Sequence, residues 1–207
     1  MILSEKFSTR MPIAHPRSPL TSRPLDLLYF CFFLIHVPAT LLLDIQHLYP
    51  TKLVPLFIRA LPHLYLKMSN DPLVGGVSGY FGTNTDHFLW FKCFTVLEVV
   101  FQLPVFFLGM RGLYNDSRTI YVLLTIYGAS TATTTLPCVA VIFQTPTTTA
   151  STIAQKIASV TFEQRILLLS SYIPFLLIPL IMAVDMSFRV FDLVEIGIRA
   201  EEETKLK

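Results

Sequence analysis

Four stretches of this chain run for about twenty residues with almost no charge, and each holds at least one proline. They cover residues about 25–43, 88–109, 120–143 and 166–184. Runs of this length and apolarity suit helices that cross a bilayer. Hydrocarbon offers backbone N–H and C=O groups no partner, so a spanning segment must satisfy them within itself. The internal prolines are Pro38, Pro104, Pro137, Pro174 and Pro179. Each removes one helix hydrogen bond and bends its helix. The pattern predicts an all-α fold: a four-helix transmembrane bundle with proline-kinked helices around a central membrane-accessible pocket.

Composition agrees. Of 207 residues, 53% are hydrophobic and only 14% charged, which excludes an ordinary soluble domain. A net charge of +2 gives no footprint for nucleic acid, and no such partner is expected. Cys31, Cys93 and Cys138 all lie inside apolar runs and lack the spacings of a disulfide frame or zinc site. They read as small buried hydrophobes, and neither a metal nor a cofactor is expected.

Between the spans the chain is polar or broken. Residues 1–24 read as a cytoplasmic N-terminal tail, 25–187 as the transmembrane domain, and 188–207 as a charged cytoplasmic tail. The long connection 45–87 holds Pro55 and Pro62, so Leu53–Leu66 is expected to form short amphipathic turns at the bundle mouth. Residues 75–87 read as a flexible Gly-rich loop, and 144–160 as a Thr-rich loop. Trp90 fits an interfacial anchor. With four spans, the side that holds both termini carries ten of the Lys and Arg residues against six on the other, which favours cytoplasmic termini.

The candidate site residues are the polar groups at membrane depth. Glu98 sits mid-span with Gln102 one turn later, on the same helix face. An acid at that depth costs roughly 2.5–3.5 kcal/mol, so it must face protein or a cavity and have a partner. That partner is either Gln102 or a span-three hydroxyl, as a structural bond, or a second acid across a ligand site. Asp44 ends the first span and reads as an interfacial acid or a pocket acid. Asp71 before Pro72 fits an Asx turn or the same pocket. His36 reads as a packed core histidine or a pocket member, and Gln102, Thr135 and Tyr172 as helix–helix contacts or ligand contacts. Two acids within hydrogen-bond range share a proton, and beneath aromatic rings they suit a cation on an apolar body. Phe101, Phe106, Tyr127 and Phe175 are the rings available for such a roof.

Several blocks then resemble a known family. Leu34–Asp44, Asp71-Pro72-Leu73, Leu97–Pro104, Thr133–Pro137 and Ser171–Pro179 follow, in order, the motifs of the EXPERA family over residues about 25–185. The match is to its sigma-2-receptor branch, with the sterol Δ8–Δ7 isomerase (emopamil-binding protein) a further member. The resemblance implies a multi-pass protein of the endoplasmic reticulum, often a homodimer, with a pocket open to membrane lipid. It implies sterol or cationic amphiphile binding and a link to sterol transport through a Niemann–Pick C1-type protein. By that resemblance Asp44 pairs with a ligand amine, Asp71 orients Asp44, and Glu98, Gln102, Thr135, Tyr172 and Phe175 complete the pocket. Phe175 replaces a tyrosine of the family pattern, the loop 74–87 is longer, and the C-terminus lacks a full dilysine signal.

The expected function is therefore binding of a sterol or cationic amphiphile, without obligatory catalysis. The alternative is a sterol or terpenoid double-bond isomerase, with Asp44 and Glu98 as the acid and base and His36 as an auxiliary.

Overall fold

The computed structural model describes residues 18–49, 54–82, 85–155 and 157–206. Most of the N-terminal tail, with Lys6, Arg10 and Arg17, lies outside the described residues, as do Pro50, Lys52, Lys156, Lys207 and two positions of the Gly-rich loop. The described residues are helical, apart from turns and one isolated bridge between Thr147 and Val160.

Four helical segments are long and apolar enough to cross a membrane: Pro24–Asp44, Asp86–Tyr114, Arg118–Gln144 and Phe162–Lys205. The first is helix α1 (Pro24–Ala39) followed by a π-turn, Thr40–Asp44. After it come α2 (Leu56–Ser69) and the short α3 (Pro72–Val77). The second span is α4 (Leu89–Leu97), a second π-turn at Glu98–Gln102, and α5 (Leu103–Tyr114). The third is α6 (Tyr121–Gln144). A short α7 (Ala150–Ala154) precedes α8 (Phe162–Lys205), which forms the fourth span.

Helices α6 and α8 pack along much of their length, and α1 packs on α5. Gly128 permits the first of these contacts. A Cβ there would lie 2.5 Å from the Pro179 carbonyl oxygen and 2.8 Å from the Ala183 nitrogen. The core is aromatic. Phe33, Phe106 and Tyr127 are fully buried, with ring centroids 5.2–5.7 Å apart, and edge-on pairs of this kind add attraction beyond simple burial.

An ion network closes the end of the bundle where the first span begins. Asp26, 1% exposed, pairs with Arg23 and with Arg189 of α8, the latter at 2.7 Å. Arg23 also reaches Asp116 at 3.2 Å, and Arg189 reaches Asp185 at 2.8 Å. Tyr29 donates to Asp185 at 3.1 Å.

The structure departs from the sequence expectations in five places. Residues 56–69 form one helix rather than short turns. Pro62 cannot donate to the Ile58 carbonyl, and the Gln46 side-chain amide donates to it instead at 2.8 Å. Gly75 and Gly76 belong to α3, and the rings of Phe81 and Phe88 press where their Cβ atoms would be, so this part of the Gly-rich segment is packed rather than loose. The Thr-rich connection contains α7, whose first turn is capped by the Thr149 hydroxyl. The fourth helix runs on through the charged segment to Lys205 instead of stopping near 184. The cysteines differ too: Cys138 is buried, whereas Cys31 and Cys93 face outward, and all three are free.

Candidate functional site

The site is built on the two π-turns. In a π-turn each N–H reaches back five residues, which widens the helix by one residue and re-aims its side chains; such turns gather at functional sites. Proline stands beside each one here. Pro38 lies two residues before Thr40–Asp44, and Pro104 two residues after Glu98–Gln102. The first turn carries Thr40 and Asp44, the second Glu98 and Gln102. The two are joined directly, since Thr40 Oγ1 donates to Glu98 Oε1 at 2.6 Å.

Between them lies a cavity of about 120 Å³. His36, Asp44, Glu98, Gln102, Thr135, Tyr172 and Phe175 all line it, together with Thr131, Thr134 and Cys138. His36 Nε2 stands 3.8 Å from Glu98 Oε1. One polar atom from each of His36, Asp44 and Glu98 lies within 4.8 Å of the others. The imidazole is clamped by rings: Phe106 stacks on it at 4.5 Å, and Phe175 and Phe32 meet it edge-on at 4.5 and 5.1 Å. Among the described residues its buried Nδ1 has no hydrogen-bond partner, and neither has the hydroxyl of Thr131.

Asp71 stands behind this wall rather than in it. It caps α3, with one carboxylate oxygen accepting from the backbone N–H groups of Leu73 (2.8 Å) and Val74 (3.1 Å). The other oxygen accepts from Tyr65 (2.7 Å) and Tyr172 (2.9 Å). Burial pushes its carboxyl above the usual carboxylate range, and the four hydrogen bonds act in the opposite direction. Burial, then the adjacent Asp71, push the Tyr65 hydroxyl up. Through Tyr172, the α3 cap is tied to the cavity lining.

The structure brings together most of the site residues expected from the sequence, and it leaves Asp71, Tyr127 and the roof rings Phe101 and Phe106 out of the cavity lining. Tyr127 is fully buried in the aromatic core and is not among the lining residues. Phe106 reaches the site only by stacking on His36, so of the expected roof rings Phe175 is the one that lines the cavity. Glu98 finds its bond on the first span, at Thr40, rather than on its own helix or on span three. Sequence reasoning passed over Thr40, although a hydroxyl between Pro38 and Asp44 inside an apolar run was a usable signal. Tyr65, the other missed residue, carried no signal that distinguished it from the rest of a surface helix.

Outside the polar cavity, on the opposite side of the first π-turn, lies an apolar groove of about 390 Å³. Pro38, Ala39, Leu42 and Leu43 form one wall, and Leu61, Leu64, Tyr65 and Met68 of α2 form the other. Tyr65 belongs both to this groove and to the hydrogen bonds of Asp71.

Together these features define an all-helical, four-span membrane protein with two acids and a histidine around a small polar cavity. The chain belongs to the EXPERA (EXPanded EBP superfamily) family, whose profile matches residues 57–186. It is 32% identical over 170 residues to Sigma intracellular receptor 2 of Homo sapiens, covering 82% of this chain and 90% of that protein. The protein of the same name from Xenopus tropicalis is 28% identical over 170 residues, covering 81% and 90%. Efficient mitochondria targeting-associated protein 19 of Saccharomyces cerevisiae is 27% identical over 159 residues, covering 73% and 91%.

Proposed function

We propose that this chain is a sigma-2-receptor-like intracellular membrane protein that binds sterols and cationic amphiphiles, with the polar cavity taking the ligand's charged or hydroxyl head. The observation that carries the proposal is the meeting of Asp44 and Glu98 in one cavity beside the ring of Phe175. Two carboxylates in a setting of low dielectric attract an ammonium group strongly, and an aromatic face adds to that attraction. At about 120 Å³ the cavity is smaller than the usual 300–1,000 Å³ of pockets that enclose a whole drug-sized molecule. The head enters, and the apolar body stays outside it. The groove between the first span and α2 is of suitable size for that body and borders the same π-turn.

The family and the name Sigma intracellular receptor 2 support this reading. In the same reading the protein resides in the endoplasmic reticulum with both termini cytoplasmic, forms a homodimer, and serves sterol transport with a Niemann–Pick C1-type partner. The balance of Lys and Arg supports the orientation.

The test is binding of a radiolabelled cationic amphiphile to purified protein. Asp44→Asn abolishes binding while the variant stays monodisperse and unfolds cooperatively. Unchanged affinity sinks the proposal.

A second reading rests on the same triad. His36, Asp44 and Glu98 lie close enough to pass a proton across one cavity, as an alkene shift requires: one acid protonates the double bond and a base removes a different proton. Purified protein incubated with Δ8-sterols gives shifted alkenes under this reading. No product, where a known isomerase turns over, removes it.

A further inference from the structure

The imidazole of His36 is the least explained group in the molecule. It is 6% exposed and shares one cavity with two carboxylates. Among the described residues its Nδ1 has no partner, and its Nε2 is 3.8 Å from Glu98 Oε1, too far for a hydrogen bond. Stacking on Phe106, with Phe32 and Phe175 at its edges, holds the ring in this orientation. A buried donor or acceptor left unmade costs about 1–3 kcal/mol, and a small rotation of Glu98 would close the gap. Instead Glu98 is held by Thr40, at 2.6 Å.

We infer that His36, Asp44 and Glu98 form a binding site for a divalent transition-metal ion of the zinc type. Zinc binds imidazole nitrogen and carboxylate oxygen at about 2.0–2.2 Å, so two donors on one ion stand about 3.4 Å apart at a tetrahedral angle and about 4.2 Å apart when opposite. The 3.8 Å between His36 and Glu98 is about 0.4 Å wider than the tetrahedral separation. Asp44 completes a set in which all three donor atoms lie within 4.8 Å of one another. Closing the widest separation this allows to the tetrahedral distance takes about 1.4 Å, within the range of a carboxylate rotamer.

The chemistry of the set points the same way. One imidazole and two carboxylates neutralise a dication, and the nitrogen favours zinc-like ions over magnesium or calcium. Three protein ligands leave a fourth position for water, and the cavity has room for it. Thr40 supplies the outer-shell bond that orients Glu98, a common feature of metal carboxylates. The spacing hid this site from the sequence: His36 and Asp44 are eight residues apart, and Glu98 lies on another helix.

The inference does not depend on amphiphile binding, although the two ligands would compete for Asp44 and Glu98. A metal needs the imidazole, and an amine does not. The test uses the untagged full chain in detergent, stripped with a chelator, dialysed against micromolar zinc, and assayed for metal by mass spectrometry. Cobalt(II) replaces zinc in a parallel sample, and its visible spectrum reports the geometry. Wild type retains one zinc per chain and gives the intense spectrum of four-coordinate cobalt; excess magnesium or calcium does not displace the ion. His36→Phe keeps a ring among Phe32, Phe106 and Phe175 and loses at least about tenfold in zinc affinity, while it stays monodisperse and unfolds cooperatively. Asp44→Asn combined with Glu98→Gln loses the metal as well, which keeps the test open should His36→Phe misfold. Folded wild type that retains no zinc overturns the inference. So does equal uptake by wild type and the variants, which assigns the metal to surface groups such as His63 and His87. Wild type that binds zinc but no amphiphile leaves the metal site standing and removes the proposed function instead.

Discussion

Thr40 and Glu98 lie 58 positions apart on two different membrane spans, and the 2.6 Å hydrogen bond between them is the seam that holds the site together. Each residue opens a π-turn, so the bond joins the two places where the helices are already widened. Thr40→Val keeps the shape and removes the donor. Leaving a buried acceptor unmade costs about 1–3 kcal/mol, so the variant loses stability of that order, read as a fall in the midpoint of thermal unfolding in nanodiscs. Combining it with Glu98→Leu costs less than the sum of the two single changes, because the second removes the acceptor that the first strands. Simple additivity in this cycle shows that the bond carries no energy of its own.

Asp71 gives the site a pH dependence with a defined sign. Unfolded, its carboxyl titrates near about pH 3.9; folded, burial raises it. Between the two values the folded state binds more protons than the unfolded state, so stability falls as pH rises through that window. The contribution is fully present below about pH 3.9 and is lost above the folded value. Asp71→Asn flattens this part of the stability curve. Tyr65→Phe moves its upper edge to higher pH, because the Tyr65 hydroxyl lowers the Asp71 value. Thermal midpoints measured across mildly acidic to neutral pH check both, and a curve unchanged in Asp71→Asn refutes the assignment.

Much of this fold was legible in the sequence because membrane helices announce themselves by length and apolarity alone. Asp44 and Glu98 stood out for a related reason: a charge in an apolar run is conspicuous. What could not be read were pairings between distant segments. Gln102 and the span-three hydroxyls were the expected structural partners of Glu98, yet its bond comes from Thr40 on the first span. Pro62 suggested a break, because nothing local replaces the bond it removes; the replacement comes from Gln46, before the helix starts. Gly75 and Gly76 looked loose because glycine is permissive, whereas here it makes room for Phe81 and Phe88. Tyr127 was expected as a ring over the ligand's cation, but its ring belongs to the core.

The ion network around Asp26 is a stronger restraint than the exposed pairs of α8. Asp26 is 1% exposed and is shared by Arg23 and Arg189. Removing one side of a buried pair costs about 3–5 kcal/mol, because the remaining charges stay desolvated. Asp26→Ala therefore destabilises strongly, and it loosens the start of the first span from α8. Arg199 and Glu195, 75% and 45% exposed, form an i,i+4 pair on α8 worth about 0.3–0.5 kcal/mol. Glu195→Gln serves as the matched control. Thermal unfolding separates the two, and equal effects contradict a buried network.

The apolar groove makes a prediction that divides head recognition from tail recognition. Leu64 is 57% exposed and forms part of the α2 wall, away from the carboxylates. Leu64→Trp fills the groove without touching Asp44 or Glu98. In wild type, lengthening the tail of a primary amine raises affinity by up to about fourfold per buried methylene, from about 0.8 kcal/mol each. In Leu64→Trp the short amines bind as before, and the gain from longer tails is lost. Affinities for an alkylamine series, measured on both proteins in the same detergent, give two slopes. Parallel slopes place the tail elsewhere; a flattened slope with an unchanged intercept places it between the first span and α2.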